Sequence, residues 1–276
     1  MTFSQNYPVI NIPSLYKYGL TIQNSTISPQ TKLSILRGSC RDSEDIIDIT
    51  LGDFNANANG ITTSAPVRID NTVNGAGGID QGTVKANTMY AIFIIADSRG
   101  YMPISAIAIN AFNIYLVGQV VMPSGYDSRR LIGFWGTDSD TFWQTGSYFG
   151  MANDLVFTYD APQATSVTSG TSNVYASVDL SNFVPNIYNN PVSISTVFSS
   201  ATAGNTLILA SGKSTNPNGQ VVITNQSSNI NITSISSVLN QFVRVSYPPF
   251  AIPTIQYKVS GTSTVAIYVS GFSVSV

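Results

Sequence analysis

The stretch that most limits what this chain can fold into is residues 255–276, "IQYKVSGTSTVAIYVSGFSVSV". Ile255, Tyr257 and Val259 alternate with polar residues, and beyond Gly261 the alternation resumes with Val265, Ile267 and Val269. Period two marks a half-buried strand, because successive side chains leave a pleated backbone on opposite faces. The two runs predict a hairpin turning at Gly261. At Gly271 the parity flips, and Phe272, Val274 and Val276 carry the apolar face onward on even numbers. A glycine at such a switch predicts a bulge or bend.

Strand signals of this kind recur at residues 32–36, 46–51, 67–71, 155–159, 173–180, 192–198, 206–210, 220–224 and 241–245, separated by polar turn segments such as "NANANG" and "STNPNG". No window holds a capped helical period, so the expected class is all-β. The Ser/Thr-rich residues 163–172 are the expected seam. They divide the chain into an N-terminal attachment segment (1–18), an N-terminal β module (19–162) and a C-terminal, jelly-roll-like β-sandwich (163–276). Residues 104–122 are uncharged but contain Asn110, Asn113 and Gln119, and they read as two short strands rather than a bilayer span. No membrane insertion is expected. The opening "MTFSQNYPVINIP" has neither a basic nor an apolar leader region, which argues against export of this chain through a signal peptide.

The glycine cluster at residues 74–82 poses a choice between a phosphate cradle and a sheet turn. Gly75, Gly77, Gly78 and Gly82 fit neither nucleotide-binding spacing, and the segment behind them, "TMYAIFIIAD", reads as a buried strand rather than a helix. A structural turn is expected. Only 9 % of residues are charged, and Arg129-Arg130 is the one adjacent basic pair, so nucleic acid is not an expected partner.

The chain contains no histidine and a single cysteine, Cys40. Histidine-based nucleophilic catalysis, His-ligated zinc and paired-cysteine sites are therefore excluded, and no cofactor or metal is expected. A pair of carboxylates would still permit glycoside hydrolysis. Asp42, Glu44, Asp45 and Asp48 in "RDSEDIIDI" are candidates, but Asp42, Glu44 and Asp48 share one strand parity opposite Ile47 and Ile49, and a solvated strand face explains that pattern without catalysis. Asp138 and Asp140 in "GTDSDTFW" suit either an Asx turn or a pair of calcium-donor oxygens.

The strongest surface signal is aromatic. Phe134, Trp135, Phe142, Trp143, Tyr148 and Phe149 lie within sixteen residues, and such rings fill cores and interfaces as readily as they stack on sugars. Trp135, Trp143 and Tyr148 are the candidate ligand contacts.

Several stretches resemble a module of bacteriophage and prophage virion proteins of the tail-fibre, head-fibre or appendage type. The likeness rests on "GSCRDS" at residues 38–43, on Gly78, Asp80, Gly82, Thr88 and Tyr90, and on Pro123, Gly125, Tyr126, Arg130, Ile132 and Gly133. "VDLSNFVP" at residues 178–185 and the terminal "IQYKVS…IYVSGF" extend it, so that it runs from about Gly19 to the end. The resemblance implies a non-enzymatic structural protein, a homotrimer on the outer surface of the virion, made in the host cytoplasm. Other virion proteins and a host-surface glycan are the implied partners.

Overall fold

The computed structural model describes residues 16–52, 55–56, 62–63, 67–111, 121–151, 154–186, 191–200, 202–211, 220–224, 241–242 and 252–275. Residues 1–15 of the expected attachment segment, 112–120 of the uncharged stretch and 243–245 of the last internal strand candidate lie outside them.

The fold is all-β and sandwich-like, as expected, with no helix among the described residues. The first strands are β1 (Lys17–Gly19), β2 (Ile22–Asn24), β3 (Lys32–Ile35), β4 (Gly38–Arg41), β5 (Asp48–Leu51), β6 (Asn55–Ala56) and β7 (Thr62–Thr63). Then come β8 (Val67–Asp70), β9 (Gly78–Ile79), β10 (Met89–Ala96), β11 (Ser105–Asn110), β12 (Ser128–Gly136), β13 (Gly146–Met151) and β14 (Asp154–Ala164). The remainder are β15 (Ala176–Asp179), β16 (Pro191–Ser200), β17 (Thr206–Ser211), β18 (Val221–Thr224), β19 (Gln241–Phe242), β20 (Thr254–Val259) and β21 (Ser263–Ser275).

An eight-stranded antiparallel sheet, ordered β19-β16-β21-β14-β13-β2-β3-β8, forms the backbone of the molecule. Four-stranded sheets β12-β10-β11-β9 and β15-β20-β17-β18 accompany it, with smaller sheets β1-β4-β5 and β6-β7. The β2–β3 ribbon runs on into β1–β4 through a kink at Gly19 and Leu20, whose φ angles are 66° and 55°. Gly38 faces this kink, where a Cβ would lie 2.3 Å from Leu20 N and Tyr18 O. Only glycine lets the two backbones approach so closely.

The glycine cluster is a turn, as expected. Gly75, Gly77 and Gly82 have φ near +80°, and β9, which begins at Gly78, pairs in parallel with β11. The strand behind it, β10, is buried at all eight positions, which explains why it carries an unbroken apolar run instead of an alternating one.

Two expectations need correction. The seam at residues 163–172 does not separate two sheets, because it begins inside β14 and the eight-stranded sheet takes strands from both sides of it. One apolar cluster holds Ile22, Leu33 and Trp135 together with Val178, Leu207 and Ile255. The C-terminal runs are both strands, but they do not form a hairpin. Strand β20 pairs with β15 and β17, whereas β21 pairs with β14 and β16. The turn at Gly261 (φ 61°) carries the chain from one sheet to another. Alternation reports a half-buried strand but not its neighbour, so the pairing was the part left to assumption.

The parity switch at Gly271 is a bulge. Gly271 lies opposite Ser193 on β16 while Val269 lies opposite Ile194, leaving Ser270 as the extra residue. On the other side, Thr158 pairs with Gly271 and Gln163 with Val269. A Cβ at Gly271 would meet Phe157 O at 2.2 Å. Gly271→Ala is therefore expected to cost about 1–3 kcal/mol, measurable as a lowered midpoint in urea unfolding at unchanged slope.

Candidate functional site

The three aromatic residues expected to touch a ligand sit in the core. Trp135 is 0 % exposed, Trp143 2 % and Tyr148 8 %. Trp135 projects from β12 onto the large sheet, where its ring meets Phe157 edge-on at 4.9 Å and Tyr148 at 5.9 Å. Phe157 also stacks on Phe272 at 5.1 Å. Trp143 packs edge-on against Tyr90 at 5.6 Å.

Each polar handle is also used internally. Trp135 Nε1 donates to Gln144 O at 2.7 Å and Trp143 Nε1 to Thr31 O at 3.0 Å. The Tyr148 hydroxyl donates to Phe134 O and accepts from Phe134 N at 2.7 Å. Rings with no free face and no free donor give a sugar nothing to stack on, so the expected aromatic platform is corrected to a packing nucleus. Of the six aromatics in that stretch, Phe149 is the exposed one, at 61 %, opposite Val156 on the neighbouring strand.

The candidate carboxylates hold turns. Asp42 is buried, and its Oδ1 accepts from Ile46 N at 2.7 Å and Ile47 N at 3.1 Å. That bond set makes residues 42–47 a turn rather than the expected solvated strand face. Arg41 lies 3.4 Å from Asp45 and 3.2 Å from Asp48. Asp138 Oδ1 accepts from Asp140 N and Phe142 N, both at 2.9 Å, which is the Asx turn of the two readings weighed for this pair. No group of three or more metal-ligating side chains exists among the described residues.

Lys17 on β1, Cys40 on β4 and Arg130 on β12 are buried and close enough to feel one another's charge. Burial, then the Arg130 charge, brings the Lys17 amine down to about 8. Burial also pushes the Cys40 thiol up to about 12, against the pull of Arg130 and Lys17. Such a thiol stays protonated and is inert as a nucleophile.

A cleft of about 190 Å³ opens where one end of the β10–β11 pair meets the turn after β15 and the segment leading into β20. Among the described residues its polar lining is four carboxamides, Asn87, Asn110, Asn182 and Asn186, with Thr88 and Ser181, and none of those residues is charged. The walls are braced, since Asn87 N donates to Asp138 O at 2.9 Å and Leu180 N donates to Pro253 O at 2.9 Å. Asn87 holds a φ of 48°. Sequence reasoning missed this site because its parts are spread from residue 87 to residue 253 in an asparagine-rich chain, with no motif spacing to mark them.

No protein-family model and no curated protein matches the chain.

Two outcomes are expected. Trp135→Ala removes the largest ring of the nucleus and should cost about 3–5 kcal/mol in denaturant unfolding. Cys40 should make stability fall with alkali. The unfolded thiol ionises near its ordinary 9.0 and the folded one near 12, so the unfolded state alone gains by ionising between those values. The stability of wild type minus that of Cys40→Ala should be flat below pH 9 and fall as pH rises toward 12.

Proposed function

We propose that the chain is a non-enzymatic bacteriophage virion structural protein, a short tail appendage or fibre tip that contributes to host-surface attachment as a homotrimer. The observation that carries this reading is what the resembling residues do in the fold. Asp42 closes a turn, and Gly38 and Gly78 sit where a Cβ would meet backbone oxygen at 2.3 Å and 2.2 Å. The Tyr126 hydroxyl donates to Pro103 O at 2.9 Å, and Lys85 N donates to the Tyr90 hydroxyl at 2.8 Å. A pattern made of turn-formers and backbone-bracers supports a scaffold reading.

The surface chemistry agrees with that reading. On the outer face of the large sheet, Phe149, Val156 and Val197 stand among Ser147, Thr158, Ser195 and Ser273, with Asp154 and Asp160 exposed on the same face of β14. Partly apolar sheet faces rich in serine and threonine suit packing of repeated copies.

Immunogold electron microscopy of intact particles tests the location. Label at the tail is the expected result; label over the capsid would make the chain a head decoration or head fibre, and particles without label would remove the virion reading. Sedimentation equilibrium should give three times the 29.4 kDa chain mass, whereas a single chain mass would overturn the trimer.

A further inference from the structure

We infer that the asparagine-lined cleft binds a neutral saccharide ring, a site separate from the aromatic cluster and one that supplies the attachment reading with a ligand class. The argument begins with what the lining lacks. Among the described residues no Lys, Arg, Asp or Glu faces the cavity, so they match neither an anion nor a cation there and give a nucleotide nothing for its phosphates.

What the lining contains is dual-character hydrogen bonding. Each carboxamide carries two donors and an acceptor on one planar group, the Ser181 hydroxyl carries both at one atom, and Thr88 Oγ1, which donates to Ala86 O at 2.8 Å, keeps its acceptor side. Ligands that also donate and accept at each position are polyols, and adjacent ring hydroxyls match the spacing of a carboxamide's oxygen and nitrogen. Asn186 Oδ1 is buried without a hydrogen-bond partner among the described residues, so it is an acceptor that a ligand hydroxyl would satisfy. Met89, Val184 and Ile252 add aliphatic surface for the C–H face of a ring.

Size narrows the occupant further. The cavity volume of about 190 Å³ falls below the roughly 300–1,000 Å³ typical of drug-sized ligand sites. It holds one ring, with the rest of a glycan chain continuing into solvent. A peptide segment would need a longer groove or a free strand edge. Affinity for one neutral ring is expected to be on the order of millimolar, and several linked copies would raise it through avidity.

The test is a ¹H–¹⁵N titration of the full chain with the methyl α-glycosides of glucose, galactose, mannose, rhamnose and N-acetylglucosamine, following the side-chain amide resonances of Asn87, Asn110, Asn182 and Asn186. At least one glycoside should shift these resonances saturably. Asn186→Leu and Asn182→Leu should each weaken that binding about tenfold or more, while Val174→Ser, an exposed position outside the lining, should leave it unchanged. Asn182 is exposed, so its variant keeps the test valid if Asn186→Leu fails to fold. No shift with any glycoside, or equal binding by both folded leucine variants, would overturn the cleft assignment. The two readings fail separately: labelled particles with no glycoside response remove the cleft alone, and a glycoside response with unlabelled particles removes the virion reading alone.

Discussion

The structure depends on β21. Its thirteen residues hydrogen-bond to β14 along one edge and to β16 along the other, and so join strands from both ends of the chain into one sheet. Everything that resembles a domain boundary in the sequence is bridged by that pairing. The bulge at Ser270 and the bare Cα of Gly271 allow β21 to serve both neighbours while its apolar face changes parity. Without that switch, either Val265, Ile267 and Val269 or Phe272 and Val274 would be turned out of the core.

The aromatic nucleus is the second consequence of the same arrangement. Phe272 comes from β21, Phe157 and Tyr159 from β14, Tyr148 from β13 and Trp135 from β12, so four strands place one ring or more each in a single cluster, with Phe272 stacked on Phe157 and the other contacts edge-to-face. Gly133 beside it leaves room for Ile22 and Tyr148, which a Cβ would meet at 2.9 Å and 3.2 Å. A cluster that looked like a surface platform in one dimension is the place where two sheets touch.

How much was legible in the sequence follows from which physical signals are local. Alternation marked β3, β8, β16, β17 and β21 closely, because half-burial is written into neighbouring residues. The glycine turn at residues 74–82, the Asx turn at Asp138 and the bulge at Gly271 were legible for the same reason. Strand β12 was not, since Arg129, Arg130, Gly133 and Gly136 interrupt its pattern and only tertiary contacts with β10 and the large sheet make it a strand. The pairing of β20, the burial of Trp135 and the carboxamide cleft were also hidden, because each arises from residues far apart in the chain.

The central position of β21 also sets an order of events at the ribosome. Strand β14 is complete 99 residues before β21 begins (263 − 164), and at the usual elongation rates of about 5–20 residues per second that interval lasts roughly 5–20 s. Through it β14, and from Ser200 onward β16 as well, lacks the partner that β21 will supply, a condition in which strands pair with whatever neighbour is at hand. The register that joins β16 to β14 in the large sheet is thus decided late, by the arrival of a single strand. A chain interrupted before Ser263 has every other strand of its scaffold and still lacks the one that closes it.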